Sequence, residues 1–175
     1  MNAEEDPSAR ITVQKLSVSY GDYEVLREVG FTVRGGEVIV VMGGSGCGKS
    51  TLMKAMVGLI EPANGSVWYG KSNFTEADFA ARGNLMRRFG VLFQGGALWT
   101  SMTLRENISL PLELYTDLNP QEILDLADFK LSLVGLGDFG DFLPAELSGG
   151  MRKRAGLARA MALDPEILFL DEPSA

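Results

Sequence analysis

The sequence predicts an α/β domain with a helical insertion, and three observations carry that expectation. An apolar run at Val38–Met42 leads into a glycine-rich loop at 43–48 and then into a helical pattern from Lys49. Strand signals vanish between Gly95 and about Leu163. They return at Glu166–Leu170, which delivers two consecutive carboxylates, Asp171 and Glu172. Both apolar runs have the length of buried strands.

Taken in order, residues 11–18 alternate well enough to form a strand, and Gly21-Asp22 follows as a turn signal. A second extended stretch covers about 25–33 and closes at Gly35-Gly36. The helix opened by Lys49 is expected to reach about Leu59, where Pro62 and an Asn64-Gly65 turn end the segment before a strand at Ser66–Tyr69. Residues 75–88 read as a helix, and Gly90–Gln94 as another buried strand. Within 95–163, helix-like segments are punctuated by Pro111, Pro120, Gly135, Gly137 and Pro144. Residues 1–10 are acidic at their start and lack the apolar core of a signal peptide, so they are expected to be a disordered lead-in. That leaves 11–175 as one domain, with a helical subdomain at about 95–163.

Composition narrows the function. The formal net charge of −7 offers nothing to a nucleic-acid backbone. No apolar run approaches the roughly 18 residues of a membrane span. Cys47 is the only cysteine, which excludes an internal disulfide and fits a reducing cytoplasm. There is no histidine.

The loop Gly43-Gly44-Ser45-Gly46-Cys47-Gly48-Lys49-Ser50, followed by Thr51, fits G-x-x-x-x-G-K-[ST] without a mismatch. Glycines let successive N–H groups turn inward toward phosphate oxygens, and the following helix presents its positive end to the same anion. Lys49 supplies a point charge for the β- and γ-phosphates, and the Ser50 hydroxyl suits Mg²⁺. The bland alternative is a glycine-rich turn without a ligand. At the other end, Asp171 suits Mg²⁺ and Glu172 the polarisation of an attacking water. Between them, Leu147-Ser148-Gly149-Gly150-Met151 is a helix start with Ser148 as N-cap and glycines that permit close approach to an anion. Arg152, Lys153 and Arg154 then crowd a first turn where the helix dipole disfavours cations. A phosphate or an acidic partner is the expected reason.

In this order, these motifs resemble the ATP-binding subunits of ABC transporters over about residues 11–175. The resemblance implies a P-loop NTPase of ABC type: a parallel core sheet, an N-terminal antiparallel β subdomain and a helical insertion. It implies ATP and Mg²⁺ as ligands. Glu172, Lys49 and Gln94 would serve hydrolysis, with Gln94 sensing Mg²⁺. Tyr20 would stack on adenine, with Tyr23 as a competing candidate and a core or turn tyrosine as the plain alternative. Two copies would pair head to tail, so that Ser148, Gly149 and Gly150 of one complete the site whose Lys49 belongs to the other. Integral membrane permeases would be the further partners, at the cytoplasmic face of a bacterial inner membrane, with no role for nucleic acid. Met151 with its following cations, and Phe93–Trp99 leading into Ser101-Met102-Thr103 and Glu106-Asn107-Ile108, resemble the ATPases of Mce or maintenance-of-lipid-asymmetry phospholipid transporters. Amino-acid and lipoprotein-release ATPases share most of the same motifs, and a soluble ABC ATPase without a permease is a further alternative. The segment from about Leu98 to Leu114 suits either a permease contact or burial within the insertion.

The resemblance also implies a continuation beyond Ala175, with an interface aspartate and a histidine that contacts the γ-phosphate. The strand bearing that histidine would lie between Val38–Met42 and Glu166–Leu170. The expectation is therefore of a domain incomplete at its C-terminus, with unpaired backbone in mid-sheet, inactive and poorly soluble when expressed alone.

Overall fold

A computed structural model describes residues 8–173, which fall into two compact units, one up to Met86 and one from Arg87. Of the disordered lead-in expected at residues 1–10, residues 1–7 lie outside the described residues, as do Ser174 and Ala175, whereas Ala9 and Arg10 belong to the first strand.

The first unit is built on an antiparallel sheet in the order β2-β1-β3-β4. Strand β1 (Ala9–Tyr20) pairs with β2 (Tyr23–Arg34) across the expected turn, and begins two residues before the stretch read from alternation. Its inward residues Ile11, Val13, Leu16 and Val18 are buried. The change of phase after Val13 reflects successive register shifts, with Lys15 at φ 46° in the first and Glu28 at φ 46° in the second. The Ser17 hydroxyl accepts the Glu28 N–H there at 2.9 Å. Strand β3 (Asn64–Tyr69) starts at the residues expected to form a turn. Gly65 makes this workable: at φ 85° it passes so close to β1 that a Cβ would stand 2.3 Å from the Lys15 carbonyl oxygen. Strand β4 (Ser72–Asn73) closes the edge.

Helix α1 (Lys49–Met56) turns Leu52, Met53, Ala55 and Met56 inward. It stops before Leu59 because Gly58, at φ 78°, ends it in a left-handed residue. The Tyr69 hydroxyl donates to the Met56 carbonyl at 2.7 Å, and burial pushes that phenol's pKa up. Helix α2 (Phe79–Met86) is shorter than the 75–88 expected.

At Val38–Met42 the expected strand fails, and the expected lack of a ladder neighbour is the reason. Val38–Met42 forms no strand, and all five side chains are exposed, Val38 at 88% and Met42 at 86%. A strand exists only through its ladder, and none of the described strands pairs with this run.

The second unit joins a two-stranded parallel sheet to a helical core. Strands β5 (Phe89–Leu92) and β6 (Ile167–Leu170) pair in register from Phe89↔Ile167 to Leu92↔Leu170. The Asp171 N–H extends the ladder by donating to the Leu92 carbonyl at 2.9 Å. Helices α3 (Leu104–Tyr115), α4 (Pro120–Leu133) and α5 (Gly149–Ala160) bury Leu104, Ile108 and Leu112 against Ile123, Ala127 and Leu131, with Ala155 and Ala158. Each apolar stripe follows the i, i+4 spacing of one helix face. Thr103/Glu106 and Asn119/Glu122 form reciprocal caps at the starts of α3 and α4. Pro111, expected to break a helix, sits inside α3 instead. Burial of Ile108 and Leu112 on either side holds the helix through the lost hydrogen bond.

Candidate functional site

The candidate residues are distributed over both units, and each unit presents its own set. In the first, the loop 43–48 ends at Gly48, the N-cap of α1, with φ 96°. The Leu52 N–H donates to the Gly48 carbonyl at 2.8 Å, so the helix begins directly at the loop. Lys49 curls back over it: the ammonium donates to the carbonyls of Gly43 and Gly44, both at 2.9 Å. Its charge is thereby held across the mouth of the loop. The exposed thiol of Cys47 lies 3.8 Å from the same nitrogen. Ser50 and Thr51 occupy the first turn of α1, which contains no acid to oppose an incoming anion. Tyr20 and Tyr23 face each other across the hairpin turn, and both are exposed, so neither is a core ring.

In the second unit, adjacent parallel strands deliver the candidates at one edge. Gln94 follows β5, and Asp171 and Glu172 follow β6. The Gln94 Nε2 donates to the Glu172 Oε2 at 3.0 Å. An amide so committed keeps its Oε1 as an oxygen donor. Glu172 has a left-handed backbone, φ 50°. Arg88 and Glu166 staple the opposite end of the strand pair with two hydrogen bonds, at 3.0 and 2.7 Å.

Ser148 caps α5, its hydroxyl accepting the Met151 N–H at 3.3 Å. Gly149 and Gly150 are exposed, and nothing lies within 4 Å of a Cβ placed at Gly150. The cations that follow, for which a phosphate or an acidic partner is expected, also have partners within the chain. Each caps a carbonyl: Arg152 that of Leu147 at 2.6 Å, Lys153 that of Glu172 at 2.8 Å, and Arg154 that of Val134 at 2.8 Å. Arg154 thus sits at the negative end of α4, which offsets its unfavourable place at the start of α5.

The loop after Gln94 is also fastened to α5. Gly96, at φ 87°, packs so tightly that a Cβ on Gly156 would meet its Cα at 2.7 Å. Arg159 donates to the carbonyls of Ala97 at 2.8 Å and Gly96 at 3.3 Å, and burial lowers its pKa from the ordinary value. Asn107 pins the same loop further on, accepting the Trp99 N–H and donating to the carbonyls of Trp99, Met102 and Thr103. From sequence, Lys153 stands out only as part of the cation run and Asn107 only within Glu106-Asn107-Ile108, and Arg159 does not stand out at all. The segment 98–114 divides between its two readings: Ile108 is buried and Leu98 packs on the core, whereas Trp99 and Leu114 are exposed.

Among the described residues, no three His, Cys, Asp or Glu side chains cluster to hold a metal. The expected Mg²⁺ donors are Ser50, Gln94 and Asp171, an all-oxygen set that suits a hard cation completed by phosphates and water. Among the described residues, no helix is long and apolar enough to cross a membrane.

Residues 26–175 match the family described as ABC transporter. The chain is 44% identical over 163 residues to the probable ribonucleotide transport ATP-binding protein mkl of Mycobacterium tuberculosis, covering 93% of this chain and 45% of that one. It is 36% identical, over 93% of its length and 62% of the relative's, to the intermembrane phospholipid transport system ATP-binding protein MlaF of Haemophilus influenzae. The chain thus spans about half the length of the curated relatives it matches. Among solved structures, the ATP-binding cassette MJ0796 in a dimeric post-hydrolysis state with ADP and Pi aligns with a TM-score of 0.87 at 28% identity, over 94% of this chain and 74% of that one.

Proposed function

The chain belongs to the ABC transporter family, and from that premise we propose that it binds ATP with Mg²⁺ and hydrolyses it to drive a transporter. The observation that carries this reading is the Gln94–Glu172 hydrogen bond on neighbouring parallel strands. It puts the Glu172 carboxylate against the Gln94 amide nitrogen, at the edge where a water and a cation would be handled.

In this reading the loop N–H groups from Gly44 to Lys49 cradle the phosphates, and Lys49 exchanges its two carbonyl partners for phosphate oxygens. The Ser50 hydroxyl, Gln94 Oε1 and Asp171 carboxylate would be the oxygen ligands for Mg²⁺, which would supply countercharge to the phosphates. Thr51 supports the cradle from the first turn of α1, and Tyr20 offers its exposed ring to adenine. Glu172 orients the water and accepts its proton as the water oxygen bonds to the γ-phosphorus and the bond to ADP breaks. Ser148, Gly149 and Gly150 present an open helix start to the γ-phosphate held by a second copy. That fits the dimeric assembly named for the aligned cassette.

We extend the proposal to a permease-bound ATPase at the cytoplasmic face of a bacterial inner membrane, with phospholipid as cargo. The resemblance at Met151–Arg154 and Phe93–Trp99 and the similarity to MlaF support phospholipid. The higher identity to mkl keeps ribonucleotide as the second reading. The test is Mg²⁺-dependent ATP turnover by this chain and by the longest reading frame that contains it, each with and without Glu172→Gln. Loss of turnover with an ATP-trapped dimer on gel filtration is expected, and wild-type turnover in Glu172→Gln would sink the assignment. Transfer of a fluorescent phospholipid between vesicles by the reconstituted transporter, set against ribonucleotide uptake, decides the cargo.

A further inference from the structure

Lys153 is the member of the cation run whose partner is not explained by packing of neighbouring segments. Arg152 reaches back five positions to Leu147, and Arg154 caps α4. Lys153 instead donates to the main-chain carbonyl of Glu172, a candidate residue of the β6 edge. That carbonyl belongs to a left-handed, non-glycine residue, a conformation L side chains adopt only when their surroundings impose it. The Glu172 side chain is held separately, by Gln94 Nε2. The loop carrying Gln94 is referred in turn to α5, through Arg159 and the Gly96–Gly156 contact. Both members of the Gln94–Glu172 pair are therefore placed by one helix, and that helix starts at Ser148.

We propose that Lys153 is a positioning residue for hydrolysis. Its ammonium fixes the left-handed turn at Glu172, aims the carboxylate, and makes that aim depend on where α5 lies. The long methylene stem is what lets a residue in the first turn of α5 reach the β6 turn. A movement of α5 is then passed to the Glu172 backbone through the Lys153 hydrogen bond, beside the route through Gln94. The proposal rests on Glu172 being the hydrolytic residue.

The test compares Lys153→Met, which keeps the stem and removes the donor, with Lys153→Arg, which keeps a donor. Both are made in the full-length subunit, alongside Glu172→Gln. For Lys153→Met, kcat is expected to fall on the order of tenfold to a hundredfold, the cost of misplacing a reacting group. The KM for ATP and the Tm stay unchanged, and Lys153→Arg recovers most of the rate. Combined with Gln94→Ala, Lys153→Met should add little further loss, because both act on one carboxylate. A Lys153→Met rate within about twofold of wild type, beside a dead Glu172→Gln, overturns the proposal and leaves the ATPase reading intact. A fall in rate, affinity and Tm together, not relieved by arginine, assigns Lys153 a purely structural part and also overturns it. Wild-type turnover in Glu172→Gln removes both.

Discussion

The phosphate loop and the Gln94–Glu172 edge are assembled in opposite ways. Lys49 finds its partners five and six positions back, in the backbone of its own loop. Gln94 meets Glu172 across 78 positions, and only because β5 and β6 lie side by side. The first arrangement is a property of eight consecutive residues. The second depends on the packing of α5, on the carbonyl contacts of Lys153 and Arg159 and on a left-handed turn residue. The contacts within the loop are made even though Val38–Met42 before it is exposed and pairs with none of the described strands. A non-local site has no such independence, and its chemistry should fail whenever its packing does.

The sharpest way to break this comparison is to separate chemistry from stability in the loop. Lys49→Ala removes the phosphate charge and two exposed hydrogen bonds. Turnover in the full-length subunit should fall on the order of a hundredfold or more, as for loss of a main electrostatic contact. Stability should change by less than about 1 kcal/mol. Isothermal binding of ATP and a thermal melt on the same sample check both halves. A melt that collapses along with binding would mean the loop is not the self-contained element described here.

The complementary perturbation touches no candidate residue. A Cβ on Gly90 would stand 2.1 Å from the Ala160 carbonyl oxygen and 2.6 Å from Leu168 Cδ2. Gly90→Ala must therefore push α5 off β5, at about 1–3 kcal/mol or more. It should weaken protection from hydrogen exchange in β5, β6 and α5 and depress turnover with it. Gly44→Ala, with nothing within 4 Å of its Cβ, should leave the melt within about 0.5 kcal/mol of wild type. Equal effects of the two substitutions would erase the distinction between the regions.

The same distinction explains what the sequence discloses. The loop 43–50, the N-cap at Ser148 and the carboxylates after an apolar strand are legible because each is a short pattern with a direct physical reason. The strands at 11–18, 66–69 and 166–170 are legible from apolar alternation or length. What escapes is whatever depends on a distant partner. Val38–Met42 reads as a strand, but a run of valines cannot reveal whether a ladder partner is present. Asn64-Gly65 reads as a turn because the register shift at Lys15, which needs a glycine opposite it, is invisible from 50 positions away. Pro111 reads as a stop because propensity does not weigh the burial of Ile108 and Leu112. The carbonyls at 134, 147 and 172 that meet the cations of α5 escape as well, because no local signal announces them.

The smallest expected effect asks whether long-range electrostatics in the first unit resembles that of the second. Arg82 joins Glu61 with both terminal nitrogens while donating to the carbonyls of Phe74 and Thr75, so one side chain gathers α2, β4 and the segment after α1. The hydrogen bond from Arg82 holds the Glu61 carboxyl below its ordinary range. A depressed carboxylate contributes stability that is complete above its unfolded pKa, about 4.3, and is lost as pH falls through the lower folded value. The pair is exposed, so the whole contribution is at most about 1 kcal/mol. Glu61→Gln should lower the melting temperature slightly at neutral pH, and the gap to wild type should close as the pH is taken well below 4.3. A gap that persists into acid would show that the carboxylate's charge contributes nothing there. Arg82 would then act only through its two carbonyls, as Lys153 and Arg159 act through theirs.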